Sequence, residues 1–194
     1  MSRHTKTTRL LHAGLALAVI SQLLTSLVFV PPQNGPENVW FKVHEYGGLT
    51  TFVLALLFFV NLAARRTGTP LGRMFPWFSA TRLGELRDDT IAHVKAATSL
   101  TLPSYHEDAA LSSAIHGLGI LLVAAMSSLG AIWFGFGAFG AGESALAGLM
   151  IETHALLGNL VWTYLVGRAG LAILHTLKGA PVLGAMWSIG SRTR

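Results

Sequence analysis

Residues 44–64 read HEYGGLTTFVLALLFFVNLAA, and after Glu45 no charged residue occurs until Arg65 and Arg66 close the run. An α-helix rises about 1.5 Å per residue, so about 20 apolar residues match a hydrocarbon core about 30 Å thick. Working outward, Leu10–Val30, Leu111–Phe136 and Ile151–Leu174 are stretches of the same kind. The expected fold is all-α, a bundle of four transmembrane helices, with residues 1–194 forming one membrane-embedded domain.

Composition agrees with a membrane setting. The chain is 52% hydrophobic and 12% charged, its mean hydropathy is +0.53, and a soluble domain carries about 25% charged residues. The formal net charge of +5 follows membrane topology rather than a nucleic-acid surface, and no nucleic-acid partner is expected. Arg3, Lys6 and Arg9 precede the first span, Arg65, Arg66, Arg73, Arg82, Arg87 and Lys95 follow the second, and Lys178, Arg192 and Arg194 follow the fourth. The other two loops hold only Lys42. By the positive-inside rule both termini and the long middle loop are expected to be cytoplasmic. The first apolar stretch is longer than a signal-peptide core and lacks a small-x-small cleavage site, so it reads as a retained helix.

The connections divide by composition. PPQNGPENVWFK (31–42) is expected to be a short outer loop with Trp40 at interfacial depth, and GFGAFGAGES (135–144) a flexible one. RRTGTPLGRMFPWFS (65–79) places Phe75, Trp77 and Phe78 among prolines, which suggests a turn lying against the headgroups. Beyond it, Ala80–Thr98 sets Leu83, Leu86, Ile91 and Val94 among charges and reads as a short amphipathic cytoplasmic helix, ended by Pro103.

The spans carry histidine at two depths. Histidine is costly in a bilayer unless it is partnered, so each one is a functional candidate. The chain contains no cysteine, which excludes thiolate metal sites, iron–sulfur clusters and covalent c-type haem attachment. A haem iron held by two imidazoles needs ligands projecting from facing helices, and depth decides the pairing. His44 and His154 both open spans that start from the outer surface, and they make the best pair. His12 opens the first span at the inner surface, about 20 Å or more away, and belongs to a second site. On the fourth helix, position 168 lies about 21 Å beyond His154 on the same face, yet it is Arg168. A guanidinium stays protonated and cannot bind iron. His116 and His175 are the other nearby histidines; His4, His93 and His106 read as solvated.

Ordinary readings stand beside these. Arg168 can snorkel toward headgroups or pair with a haem propionate or quinone headgroup. Glu45 and Glu152, each next to an outer histidine, can orient an imidazole or simply be solvated. Gly14, Gly47, Gly48, Gly117, Gly119 and Gly158 let helices approach closely and leave clearance for a flat macrocycle.

RLLHAGLAL (9–17), KVHEYGGLTTFVLALL (42–57), AIHGLGILLVAAM (114–126) and ETHALLGNLVWTYLVGRAGLAILHTLKG (152–179) resemble the bacterial cytochrome b561 group together with the b-type cytochrome subunits of nickel–iron hydrogenases, over essentially the whole chain. The resemblance implies a four-helix protein of the bacterial inner membrane with two b haems, passing electrons between a redox partner and quinone. It implies His44 with His154 for the outer haem, and His12 with residue 168 for the inner one, where the family has histidine and this chain has Arg168. The expectation is therefore a membrane electron carrier with one or two haems b, surrounded by lipid, working with quinone and a redox-enzyme subunit or as a homodimer. The opposing expectation is a haem-free anchor or assembly subunit built on the same fold.

Overall fold

The structure, a computed structural model, describes residues 5–31, 35–99, 101 and 109–177. His4, Pro103, His106 and the basic residues Arg3, Lys178, Arg192 and Arg194, all named above, lie outside the described residues. Among the described residues six α-helices follow in order: α1 (Lys6–Ser26), α2 (Val39–Ala64), α3 (Leu71–Met74), α4 (Ala80–Thr98), α5 (Ala110–Ala138) and α6 (Ala145–Leu177), with a 3₁₀ turn at Pro76–Phe78 between α3 and α4. No strand occurs among the described residues. Four of these helices, α1, α2, α5 and α6, are long and apolar enough to cross a membrane.

Each long helix starts where a small polar residue can satisfy the first backbone N–H groups. Thr5 Oγ1 accepts from Thr8 N at 3.1 Å, Asn38 Oδ1 from Phe41 N at 3.1 Å, and Ser144 Oγ from Ala147 N at 3.2 Å. For α5 the acceptor comes from another helix: Asp89 of α4 takes Leu111 N at 2.8 Å. These caps move the observed ends away from the apolar boundaries. The first helix begins before Leu10, ends at Ser26 and does not reach Val30. Val39–Lys42 is already the first turn of α2, so the first connection is displaced by four residues toward the N-terminus and keeps its expected length. The second loop is shorter than expected, since α5 runs to Ala138. Gly140, at φ +75°, adopts the left-handed conformation that closes the turn behind α5.

Neighbouring spans run antiparallel, α1 against α2, α2 against α5 and α5 against α6. Two ends of the bundle can therefore be told apart by their histidines. At the His12 end, Leu15, Ala55, Phe58, Leu62, Met74 and Ile120 form the buried core, and Asn61 Nδ2 of α2 donates to Thr8 Oγ1 of α1 at 3.0 Å. At the His44 end, Phe41 meets Trp133 and Tyr46 meets Phe134, edge to face across α2 and α5. Large apolar side chains such as Leu17, Val60, Leu156 and Val166 point outward, as expected of helices whose outer faces meet lipid rather than water.

The 65–79 segment departs from its reading as a surface turn. Met74 and Pro76 are buried, and the Met74 backbone carbonyl lies directly over Gly117 of α5, where a side chain would collide with it. Phe78 stays exposed. The segment thus tucks one edge under the bundle, because Pro70 and Pro76 break the chain into two short turns that bring Met74 into the core. Ala80–Thr98 is helical as read; it ends at Thr98, ahead of Pro103, and has no buried residue.

Candidate cofactor site

His44 lies one turn inside α2 and His154 in the third turn of α6, and the helix directions bring them together at one end of the bundle. Their ring centroids are 6.2 Å apart, with the ring planes at 90°. An imidazole nitrogen binds a first-row metal at about 2 Å, and the ring centre lies about 1 Å behind that nitrogen, so two imidazoles on opposite sides of one iron hold their centroids about 6 Å apart. The observed spacing fits that requirement.

The hydrogen bonds settle which nitrogen faces which way. His44 Nδ1 is 3.2 Å from the backbone carbonyl of Gln22 on α1. His154 Nδ1 is 2.8 Å from the carbonyl of Met126 on α5. A carbonyl oxygen only accepts, so in both rings Nδ1 carries the proton and donates it. Both Nε2 lone pairs are thereby left as ligand atoms. Backbone carbonyl acceptors behind a ligating histidine fix its tautomer and orientation and raise its basicity.

Access to the Met126 carbonyl depends on Gly130, one turn further along α5. A β-carbon at residue 130 would stand 3.1 Å from Cε1 and 3.2 Å from Nδ1 of His154, closer than ordinary packing. On the other side, the side-chain amide of Gln22 fills the notch at Gly47, where a β-carbon would run into it. Both histidines line a cavity of about 720 Å³ whose wall includes Gly48, Val123, Gly158 and Trp162. That volume falls within the range of about 300–1,000 Å³ usual for cofactor and ligand sites.

Carboxylates do not do the orienting. Glu45 is bound by Lys42 Nζ at 3.0 Å, and Glu152 is exposed. Glu45 lines the same cavity as His44, but the acceptors on His44 Nδ1 are Gln22 and Thr25 of α1. Among the described residues, no group of three or more His, Asp or Glu converges as a metal-ion cluster. Two neutral nitrogens on opposite sides of a slot suit a metal whose remaining ligands come from a macrocycle.

The other end is arranged differently. His12 lies against Phe58, centroids 5.8 Å apart, and against His116, also at 5.8 Å with planes 27° from parallel. Neither His12 nor His116 lines the cavity. Tyr164 seats the hydroxyl end of its ring on Gly119, leaving no room there for a β-carbon, and stands one turn before Arg168 on α6. A guanidinium at position 168 offers no lone pair, and the Tyr164 ring stands one turn before it on α6, so these residues do not fit an iron held between position 12 and position 168. His175 lies in the last turn of α6, and His93 Nδ1 donates to the Asp89 carbonyl of its own helix at 2.8 Å.

Sequence reasoning paired His44 with His154 but missed Gln22, Thr25, Met126, Gly130 and Tyr164. Gly130 alone left a visible signal, as one of five glycines in the apolar α5.

Compared with known proteins, residues 3–188 match the family described as prokaryotic cytochrome b561. No curated protein and no solved structure matches the chain.

Proposed function

The chain belongs to the prokaryotic cytochrome b561 family, which makes it a membrane-bound b-type cytochrome, and we propose that it holds one haem b between His44 and His154 and relays single electrons between a redox partner and the quinone pool. The observation that carries this reading is the pair of Nδ1–H donors to Gln22 and Met126, which leaves both Nε2 lone pairs available in two rings whose centroids are 6.2 Å apart. When bound, the haem supplies a one-electron couple. His44 and His154 would hold the haem iron between two imidazoles, which would favour electron transfer over oxygen binding. Phe41, Trp133 and Phe134 close the His44 end with apolar surface and limit water at the ligands.

The count of one follows from Arg168. The cation stays protonated and cannot bind iron, so α6 offers no nitrogen ligand at position 168 for a second haem. The basic residues Lys6, Arg9, Arg65, Arg66, Arg73, Arg82, Arg87 and Lys95 all gather at the His12 end, which we place on the cytoplasmic side of a bacterial inner membrane. The haem then lies near the outer surface, where a redox-enzyme subunit or a second copy of the chain could exchange electrons with it.

The test is reduction by quinol. Rapid mixing of the purified oxidised protein with a soluble short-chain quinol is expected to reduce the haem in a single phase. Reduction by dithionite but not by any quinol would remove quinone from the account.

A further inference from the structure

The two imidazoles are not held alike. His154 Nδ1 has the Met126 carbonyl as its acceptor. His44 Nδ1 has two: the Gln22 carbonyl at 3.2 Å and Thr25 Oγ1 at 3.1 Å. The direction of the second bond follows from the surroundings of Thr25. Its Oγ1 lies 2.9 Å from the Ser21 carbonyl and 3.0 Å from the Gln22 carbonyl, and both can only accept. The hydroxyl proton is therefore spent within α1, and an oxygen lone pair faces Nδ1.

A threonine that bonds back to its own helix is common and needs no explanation. Here the same rotamer also delivers its lone pair to a residue of another helix, nineteen positions away. Thr25 is 6% exposed, which leaves little opening for water to take over the contact. A second acceptor on one N–H draws that proton further from the ring and leaves the opposite nitrogen a stronger donor to a metal. Stronger donation favours the more oxidised, more electron-poor metal and lowers its reduction potential.

We propose that Thr25 is a positioning residue that, through its hydroxyl, strengthens His44 as an axial ligand and holds the reduction potential of the site below what the backbone carbonyls alone would give. This rests on the haem reading above.

The test compares full-length protein carrying Thr25→Val, which keeps the shape and loses the lone pair, with Thr25→Ser, which keeps the hydroxyl. Haem content, low-spin electron paramagnetic resonance and a redox titration are measured on each. Thr25→Val is expected to retain haem and a bis-imidazole spectrum with its midpoint shifted to more positive potential, and Thr25→Ser to stay near the unmodified protein. An unchanged midpoint in Thr25→Val, or an equal shift in both variants, overturns the role of the hydroxyl. Loss of haem in both variants makes Thr25 a packing residue and overturns it as well. An unmodified protein without a bis-imidazole spectrum overturns the haem reading itself, a different failure from the other three.

Discussion

His44 and His154 face one another across the bundle with ring centroids 6.2 Å apart, each backed by a carbonyl from the helix beside it. Each imidazole is thus fixed by a helix other than its own: α1 orients the histidine of α2, and α5 orients that of α6. The arrangement ties the ligand geometry to the packing of the whole bundle, so changes on α1 or α5 that touch no ligand directly should still be felt at the site.

Gly130 is the first such position. A side chain there presses on Cε1 and Nδ1 of His154 and pushes the ring off the Met126 carbonyl. Gly130→Val is expected to weaken haem retention by about 10–100-fold, the cost usual for losing an orienting partner, with helix content unchanged. Transfer of haem to a competing apo-globin measures it, and transfer at the unmodified rate would contradict the role given to Gly130.

At the opposite end, under the one-haem proposal, Arg168 and Tyr164 are two separate obstacles to a second haem. Arg168→His supplies a nitrogen but leaves the Tyr164 ring on Gly119, so that variant is expected to stay near one haem. Arg168→His combined with Tyr164→Ala is expected to approach two. A double variant still at one would show that His12 does not face the slot.

Gly117 lies beneath the Met74 carbonyl, and backbone cannot rotate away as a side chain can. Gly117→Ala should displace the segment from Leu71 to Met74 at a cost of about 1–3 kcal/mol, seen as a lower melting temperature in detergent. The spectrum of the folded protein should not change, because the His44 site is at the other end. An unchanged melting temperature would mean that the segment does not pack there.

Orientation in the membrane is tested with single cysteines in this cysteine-free chain. A cysteine at Ser144 is expected to react with an impermeant reagent in intact cells, and one at Ser79 only after the membrane is opened. The reverse pattern would invert the topology.

Much of this was legible in the sequence, for physical reasons. The four spans could be read because apolar length is set by membrane thickness, and Ala80–Thr98 because its apolar residues recur among charges. The pairing of His44 with His154 followed from depth, since each residue adds a fixed rise. Rotation about the helix axis was a different matter. A span that is apolar all round has no polar face to show which side turns inward, so nothing along α1 marked Gln22 or Thr25 as neighbours of His44. The same blindness hid Tyr164 over Gly119. Met74 was missed because Phe75, Trp77 and Phe78 made its segment look interfacial, whereas the two prolines turn one edge of it into the core.

The most direct measurement is the haem-to-protein ratio of the purified chain, taken with reduced-minus-oxidised spectra and repeated for His44→Ala and His154→Ala. The account predicts about one low-spin, bis-imidazole haem b per chain, lost in either variant because each removes one of two axial ligands. A chain purified without haem, or either variant keeping full haem content with a bis-imidazole spectrum, would contradict it.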